Sequence, residues 1–461
     1  MITEMKKIAT SIVFFLTGLS VFSQTDSAII KSIFNEALTN GKSYQNLEYL
    51  CKKIGGRLAG SPQAQQAVEW TFNVMKEAGA DTVYLQECMV PHWVRGEKEI
   101  AKVITSNAKS FKNVNICALG GSIATPVEGI TAGIVEAKGI DDLKILGKEN
   151  IQGKIVFFNE PMDPTYIGTF HAYGKAVMQR WAGAKEAAKY GAVAVVVRSM
   201  TLAHDDNPHT GVMSYNDSIT KIPACAISTN GADWLSNYIK TDKEAKFYFK
   251  MNCQTLPEEK SYNVIAEIYG SSKKDQIITV GGHLDAWDNG EGAHDDGAGI
   301  VQSIEVIRMY KALGLKPKCT IRAVAFMNEE NGGRGGKKYA EQAKIKNEKH
   351  LAAIESDAGG FTPRGFSSTM SEQQKNKLKS WRKLLEPYGL HDFEHNGGGA
   401  DIEPLYETLG TPILELMPDS QRYFDYHHTA IDTFEAINKR ELELGGASMA
   451  ALIWLISENG L

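Results

Sequence analysis

A repeated strand–loop–helix pattern from Tyr262 towards the C-terminus is the strongest constraint on the fold. The pattern predicts strands at 276–280, 320–326, 351–354 and 412–416, and helices at 298–313 and 335–343. Strands that alternate with helices of this length are typical of a mostly parallel mixed sheet covered by helices on both faces. The sequence therefore predicts an α/β fold.

The N-terminal region opens the same α/β unit. A helix is predicted over 27–40, and a glycine-rich turn follows at 55–60. Ser61 then has the character of an N-cap, with Pro62 as the first residue of a second helix over 63–78. Alternating residues at 81–90 predict a strand.

Residues 113–255 differ in sequence pattern from the rest of the chain and contain few clustered acids and histidines. Strands are predicted at 155–158, 191–197 and 222–227, and an alanine-rich helix at 182–189. Pro223 predicts an edge position for the third of these strands, because proline cannot donate to a sheet ladder. We interpret 113–255 as an inserted β-rich domain that contributes no catalytic or metal-binding residues. Residues 24–112 and 256–461 then form the catalytic unit.

The first 23 residues have the pattern of a signal peptide. Lys6 and Lys7 precede an apolar run from Ile8 to Phe22, and small Ser23 suits a cleavage site. We expect export to the periplasm or the medium without stable membrane insertion after cleavage; an uncleaved anchor is the alternative. The net charge of -5 gives no basic field for nucleic acid. The six scattered cysteines predict either one or two disulfides or buried free thiols.

Acids and histidines follow several of the predicted strands, and a pair of acids precedes a helix. They are His283 and Asp285, Asp295 and Asp296, Glu329 and Glu330, Asp357, and His427 and His428. The carboxyl ends of parallel strands meet at one rim, so these groups would repel one another without a cation between them. A mixed set of imidazoles and carboxylates favours zinc, and two histidines with three carboxylates suit two ions.

Asp295 is the candidate bridge between the ions, with Asp296 in support. Asp285 is placed to accept a hydrogen bond that fixes the tautomer of His283. One acid of the Glu329–Glu330 pair should bind metal and the other should act as general base, but residue order alone does not decide which. One of the neighbouring residues His427 and His428 should bind metal, and the residue pattern alone does not decide which.

Several acids and histidines have simpler explanations. Asp295 and Asp296 could be ordinary acids at a helix start, and Asp357 could cap a turn. Two further groups are weaker candidates, more suited to lining a cleft: His204, Asp205, Asp206 and His209, and His391, His395 and Asp401.

Taken together, the segments 283–288 (HLDAWD), 290–297 (GEGAHDDG) and 428–433 (HTAIDT) resemble those of the co-catalytic zinc exopeptidases. That family includes bacterial leucyl aminopeptidases and plasma glutamate carboxypeptidase (carboxypeptidase Q), and the 283–297 region looks closest to the latter. The resemblance implies the zinc exopeptidase fold, a protease-associated domain at 113–255 and dimerisation. It also implies a cis peptide between Asp295 and Asp296.

The resemblance implies a role for each matching residue. The metal ligands would be His283, Asp295, Glu330, Asp357 and His428, with Asp295 bridging two Zn²⁺ ions. Glu329 would be the general base and Asp285 a second residue of the catalytic set.

The sequence thus predicts an exported di-zinc exopeptidase that hydrolyses dipeptides or short peptides. An aminopeptidase of broader specificity is the main alternative, and the motifs do not separate the two. A glutaminyl-cyclase-like transferase with one zinc, and a binding ectodomain that has lost its metal ligands, are the remaining alternatives.

Overall fold

The structure of the protein is a computed structural model that describes residues 25–461. The predicted signal peptide at 1–23 lies outside these residues. Within 25–461, no helix combines the length and the apolar character needed to cross a bilayer. All six cysteines fall in this part of the chain, and each is a buried free thiol rather than half of a disulfide.

Helices occur along the whole of the described chain. The α-helices of residues 25–461 are α1 (Asp26–Asn40), α2 (Ser43–Tyr49), α3 (Pro62–Glu77), α4 (Asp142–Ile151), α5 (Thr169–Ala176), α6 (Met178–Trp181), α7 (Gly183–Lys189), α8 (Thr229–Thr241), α9 (Ala298–Ala312), α10 (Arg334–Ile345), α11 (Glu372–Ser380), α12 (Arg382–Leu385), α13 (Glu403–Leu409), α14 (Tyr423–Tyr426) and α15 (Lys439–Asn459). As predicted, Pro62 begins α3, and the Ser61 hydroxyl caps it by accepting a hydrogen bond from the Ala64 N–H at 3.1 Å.

The strands form two separate sheets. They are β1 (Thr82–Val94), β2 (Ile100–Ile104), β3 (Phe111–Asn113), β4 (Ile116–Ala118), β5 (Ile130–Ala137), β6 (Ile155–Phe158), β7 (Ala194–Arg198), β8 (Ala224–Ile227), β9 (Lys246–Lys250), β10 (Gln254–Ile268), β11 (Lys273–His283), β12 (Cys319–Phe326), β13 (Lys349–Glu355), β14 (Pro363–Thr369) and β15 (Ile413–Pro418). Every strand predicted from the sequence is present, with bounds that differ by a few residues.

The first sheet has seven strands in the order β1-β10-β12-β11-β13-β15-β14. The four neighbouring strands β12, β11, β13 and β15 run parallel. The outer pairs β1/β10, β10/β12 and β14/β15 are antiparallel. Parallel and antiparallel strand pairs both occur, so the sheet is mixed, with a smaller parallel part than predicted. The parallel pairs lie at the centre of the sheet, where α9 and α10 provide crossover connections.

Helices cover both faces of this sheet, as predicted. Ile321, Ala323 and Ala325 of β12 belong to the core beneath α1, α3, α9 and α15. The alternating residues Val324 and Phe326 lie on the opposite face and pack with α10 and α13. This alternation fixes the register of β12 and, with it, the position of the loop that follows.

The second sheet has eight strands in the order β3-β2-β9-β5-β6-β7-β8-β4. It begins at Ile100, earlier than the boundary predicted at residue 113, because β2 pairs with β9. The same segment contains helices α4 to α8, so it is a mixed α/β unit rather than a β-rich one. Strand β8 lies between β7 and β4 and is not an edge. The edge prediction was wrong because Pro223 precedes the strand, where it uses only its carbonyl, accepting from the Val195 N–H at 2.9 Å.

A partly buried ion pair between Arg322 and Glu348 stabilises the first sheet near the amino ends of its parallel strands. Arg322 of β12 donates to both carboxylate oxygens of Glu348, at 2.7 and 3.1 Å. Burial alone would raise the pKa of Glu348, but hydrogen bonds from His350 and Arg322 outweigh it and lower the pKa to about 2. The pair therefore stabilises the fold down to strongly acidic pH.

Glu348→Gln should lower the free energy of unfolding at pH 7 by about 2 kcal/mol, because the charged bonds to Arg322 are lost. The folded pKa lies below the ordinary value of 4.5, so this stabilisation is complete above pH 4.5 and disappears as the pH falls towards 2. Urea unfolding at pH 7, 4 and 3 measures the difference. Glu341→Gln, at an exposed pair with Lys338, should change stability by less than about 1 kcal/mol. A pH-independent difference for Glu348→Gln would contradict the argument.

Candidate metal centre

The four central strands of the first sheet deliver the predicted ligands to one edge. His283 is the last residue of β11. Glu330 follows β12, and Asp357 follows β13. His428 comes after β15 and α14. Because β12, β11, β13 and β15 are parallel neighbours, their carboxyl ends meet there.

The first group of close contacts centres on His283. Its Nε2 lies 3.2 Å from Asp295 Oδ1 and 3.4 Å from Asp357 Oδ1. His283 is buried, and Asp357 keeps a partly exposed carboxylate. An imidazole nitrogen between two carboxylate oxygens at these distances has the composition of a zinc site.

The second group centres on His428. Its Nε2 lies 3.0 Å from Glu330 Oε2 and 3.2 Å from Asp295 Oδ2. Asp295 thus presents one oxygen to each group, as its predicted bridging position requires. His427 stacks on His428 with ring centroids 3.5 Å apart, but its Nε2 lies 3.8 Å from Asp295 Oδ2. The closer contacts of His428 favour it over His427 as the ligand.

The donor atoms of these residues fit a divalent metal. Three groups of side chains have converging ligand atoms: His283, Asp295 and Glu330; Asp295, His427 and His428; and His283, Asp296 and Asp357. Asp295 Oδ2, Glu330 Oε1 and Asp357 Oδ1 are buried and have no hydrogen-bond partner among the described residues. Buried carboxylate oxygens without partners are costly, and a cation between them removes that cost.

The protonation of the site reflects this crowding. Burial alone would lower the pKa of His283, but Asp357 and Asp295 raise it well above its usual value. The pKa of His428 rises to about 10 for the same reason, next to Glu330 and Asp295. Burial next to Asp295 raises the pKa of Glu330 to about 7. The raised pKa values of His283 and His428 show that each imidazole lies in a strongly negative field, which a bound divalent cation would neutralise while leaving the imidazoles neutral as ligands.

Glu329 lies beside the proposed ligands. It lines a cavity of about 240 Å³ together with Asp295, Glu330 and Asp357. Burial raises the pKa of Glu329 well above its usual value; the nearby His283 opposes this shift, and Asp357 and Glu330 add to it. A carboxylate in this position is placed to exchange a proton with a molecule in the cavity.

The structure gives Asp285 a different contact from the predicted one. The main-chain carbonyl of Asp285, not its carboxylate, lies within hydrogen-bond distance of His283 Nδ1 at 2.9 Å. The carboxylate lies 3.9 Å from the same nitrogen. It accepts instead from the N–H groups of Asn328 and Glu329, at 2.7 and 3.0 Å. Asp285 thus holds the backbone that carries Glu329 and Glu330.

Asp296 contacts the main chain next to the proposed ligands. Its Oδ2 accepts from the His283 N–H at 3.0 Å and its Oδ1 from the Gly299 N–H at 2.9 Å. The peptide bond between Asp295 and Asp296 is cis, as the resemblance implied.

Two further residues of the site had no role in the sequence analysis. Asp432 accepts from the N–H groups of His294 and Asp295, at 2.7 and 3.1 Å. The fully buried Arg57 donates to the carbonyls of Leu284, Glu291 and Gly292. Asp432 lies inside the 428–433 motif, so a signal existed for it. Arg57 lies in a glycine-rich turn far away in sequence, where no local pattern points to the site.

The weaker candidates fall outside the metal-binding groups found in residues 25–461. His204 is exposed and lies 3.6 Å from Asp233. His391 and His395 line a second cavity of about 640 Å³, which also includes Ala358 and Glu415. Asp401 is buried beside Glu355, whose carboxylate accepts its N–H at 3.1 Å.

Comparison with known proteins gives consistent similarities. A family model described as peptidase family M28 matches residues 263–453. Human carboxypeptidase Q is 34% identical over 433 residues, which cover 93% of this chain and 89% of that protein.

Solved structures are similar over comparable lengths. The crystal structure of a peptidase M28 precursor from Shewanella amazonensis SB2B has a TM-score of 0.88 and 35% identity, covering 94% of this chain and 96% of that one. BSAP, a zinc aminopeptidase from Bacillus subtilis, has a TM-score of 0.64 at 22% identity, covering 90% of this chain and 95% of that one. The latter likeness concerns the fold alone.

Asp432→Ala should weaken Zn²⁺ binding about 10- to 100-fold. The reason is that the N–H groups of His294 and Asp295 both lose the carboxylate that accepts their hydrogen bonds. Competition with a chromogenic chelator measures the affinity, and circular dichroism checks the fold. Glu435→Ala, three residues further on and exposed in a pair with Lys52, should leave the affinity unchanged. Equal affinities for the Asp432→Ala and Glu435→Ala proteins would refute a positioning role for Asp432.

Proposed function

This chain belongs to peptidase family M28 and is a zinc exopeptidase, and we propose that it hydrolyses dipeptides or short peptides with two zinc ions. The observation that carries the proposal is the position of Asp295, with one oxygen 3.2 Å from His283 Nε2 and the other 3.2 Å from His428 Nε2. His283, Asp295 and Asp357 would hold one ion, and Asp295, Glu330 and His428 the other. Zinc ions held there would supply positive charge that polarises the scissile carbonyl and acidifies the attacking water.

Glu329 is the proposed general base. Its carboxylate accepts a proton from the attacking water and passes the proton to the leaving amine. Asp285 holds the Glu329 N–H at 3.0 Å and so fixes the backbone from which this carboxylate reaches into the cavity. The assignment of Glu329 as base and Glu330 as ligand is supported by the 3.0 Å contact between Glu330 and His428.

The remaining alternatives fit the site less well. A binding protein that has lost its activity would lack ligands, whereas all five proposed ligands are present. Four of them line one cavity with Glu329, and the fifth, His283, contacts Asp295 and Asp357. A transferase with one zinc would leave either the group around His283 or the group around His428 without a metal ion. Hydrolysis from the N-terminus of longer peptides is the alternative that needs a substrate test.

The other parts of the proposal concern the rest of the chain. We propose that the second sheet is an inserted protease-associated domain, supported by sequence landmarks at 153–156, 191–195 and 222–224. We also propose export by a signal peptide, supported by Lys6, Lys7 and the apolar run after them. Homodimerisation is proposed on the resemblance alone.

Removal of zinc should abolish peptide hydrolysis, because the carboxylates and imidazoles by themselves provide no electrophile. The purified protein should hold about two zinc equivalents by mass spectrometric metal analysis. Dialysis against a chelator should remove turnover, and added Zn²⁺ but not Mg²⁺ should restore it. Full activity in a metal-free preparation would rule out this mechanism.

Glu329→Gln should keep both zinc equivalents and lower kcat by about 10²- to 10⁴-fold, since the amide cannot accept the proton. Stopped assays on a dipeptide and metal analysis of the same sample give both quantities. Glu258→Gln, at an exposed pair with Arg334, is the matched control and should retain full activity. If the Glu329→Gln protein turns over normally, another residue is the base.

A further inference from the structure

The second cavity, of about 640 Å³, adjoins the metal centre next to Asp357. Ala358, the residue that follows this proposed ligand, lines the second cavity. Phe170 lines both the second cavity and the one that contains the acids and histidines. A peptide bound at the metal centre therefore has room to place a neighbouring side chain in the second cavity.

Glu415 of β15 and Ser367 of β14 give this cavity a polar side. The two residues are partners in the antiparallel register, so their side chains lie on the same face of the sheet. Both line the cavity. The Ser367 hydroxyl is buried and has no hydrogen-bond partner among the described residues. Burial and the nearby Asp357 raise the pKa of Glu415 to about 8, and no cation or hydrogen-bond donor of the described chain opposes them.

The other carboxylates of the second cavity already have cationic partners. Among the described residues, the carboxylates that line it are Asp392, Glu415 and Asp419. Asp419 lies 3.3 Å from Arg364, and Asp392 lies 3.1 Å from His395 Nε2. Glu415 has no such ion pair. A carboxylate that is largely removed from water is costly without a cation, so Glu415 has an unmet need for a positive partner.

The remaining wall of the second cavity is mostly apolar near Glu415. Its apolar side chains are Ile167, Phe170, Leu416, Met417 and Pro418. An apolar wall with a carboxylate at one side matches a lysine or arginine side chain, whose methylene groups pack on apolar surface while the charged head seeks a polar partner. The Ser367 hydroxyl provides a second acceptor beside that of Glu415.

Charge also determines which end of a dipeptide lies near this cavity. The first residue of a dipeptide carries an α-ammonium group, and the second carries an α-carboxylate. The carboxylate of Glu415 attracts the former and repels the latter. The side chain that enters the second cavity is therefore that of the first residue.

We propose that Glu415 selects dipeptides whose first residue is lysine or arginine. Its carboxylate binds the cationic head of that side chain, and the Ser367 hydroxyl accepts one further hydrogen bond. The inference rests on the proposed function, because that function places the scissile carbonyl at the metal centre. A first residue with a neutral side chain of the same length leaves Glu415 without a partner. We expect kcat/KM to differ by about 10- to 100-fold between the two kinds of substrate.

Hydrolysis of lysyl-alanine and norleucyl-alanine by the zinc-loaded protein tests this preference, since norleucine has a straight side chain without the ammonium group. We expect a kcat/KM about 10- to 100-fold higher for lysyl-alanine. In the Glu415→Gln protein this ratio should fall to about 1, through a lower kcat/KM for lysyl-alanine. Metal analysis of the same samples should find equal zinc contents. In the native protein, the reversed dipeptide alanyl-lysine should not have the advantage of lysyl-alanine.

Glu407→Gln is the matched control, because it makes the same chemical change at an exposed position of α13. It should keep the ratio of the native protein. If the Glu415→Gln protein does not fold, Glu415→Asp keeps the charge on a shorter side chain and should lower the ratio without abolishing it. Equal kcat/KM for lysyl-alanine and norleucyl-alanine in the native protein, or a ratio that survives Glu415→Gln, overturns the inference. Failure of the proposed function would show differently, as zinc-loaded native protein that hydrolyses none of these dipeptides.

Discussion

Electrostatic repulsion among Asp295, Glu330 and Asp357 is the constraint on which the architecture of the site depends. Each of the three carboxylates has a buried oxygen without a hydrogen-bond partner among the described residues, and the three groups converge near the edge where the parallel strands end. His283 and His428 each lie between two of the acids, in position to share a divalent cation with them. The sheet supplies the rigidity that keeps the acids together, because their strands are fixed by core packing on both faces.

A second set of charged side chains holds the loops and contacts the backbone instead of the ligand atoms. Asp285 and Asp432 each accept two main-chain N–H groups, and Arg57 donates to four main-chain carbonyls. These contacts satisfy peptide groups in segments that have no regular ladder of their own. These hydrogen bonds therefore tie the loops that carry the proposed ligands to one another.

Local patterns in the sequence were enough to predict eight of the fifteen strands described in residues 25–461, the helices α1, α3, α7, α9 and α10, and the acids and histidines that converge at the sheet edge. They failed where distant segments decide the outcome. The pairing of β10 with β1 and the early start of the second sheet depend on contacts across more than a hundred residues. The contact of Asp285 with the backbone of Glu329, and the approach of Arg57, likewise arise only in the folded chain.

The cavity at the metal centre is built from two stretches of the chain. Its acids and histidines belong to the segment after Tyr262, whereas Phe170, Tyr173, Arg180 and Val212 come from the segment that carries the second sheet. Tyr423 and Phe424, from the segment after Tyr262, complete the wall of the cavity. Changes in the second-sheet segment would therefore reshape part of this wall while leaving the acids and histidines in place.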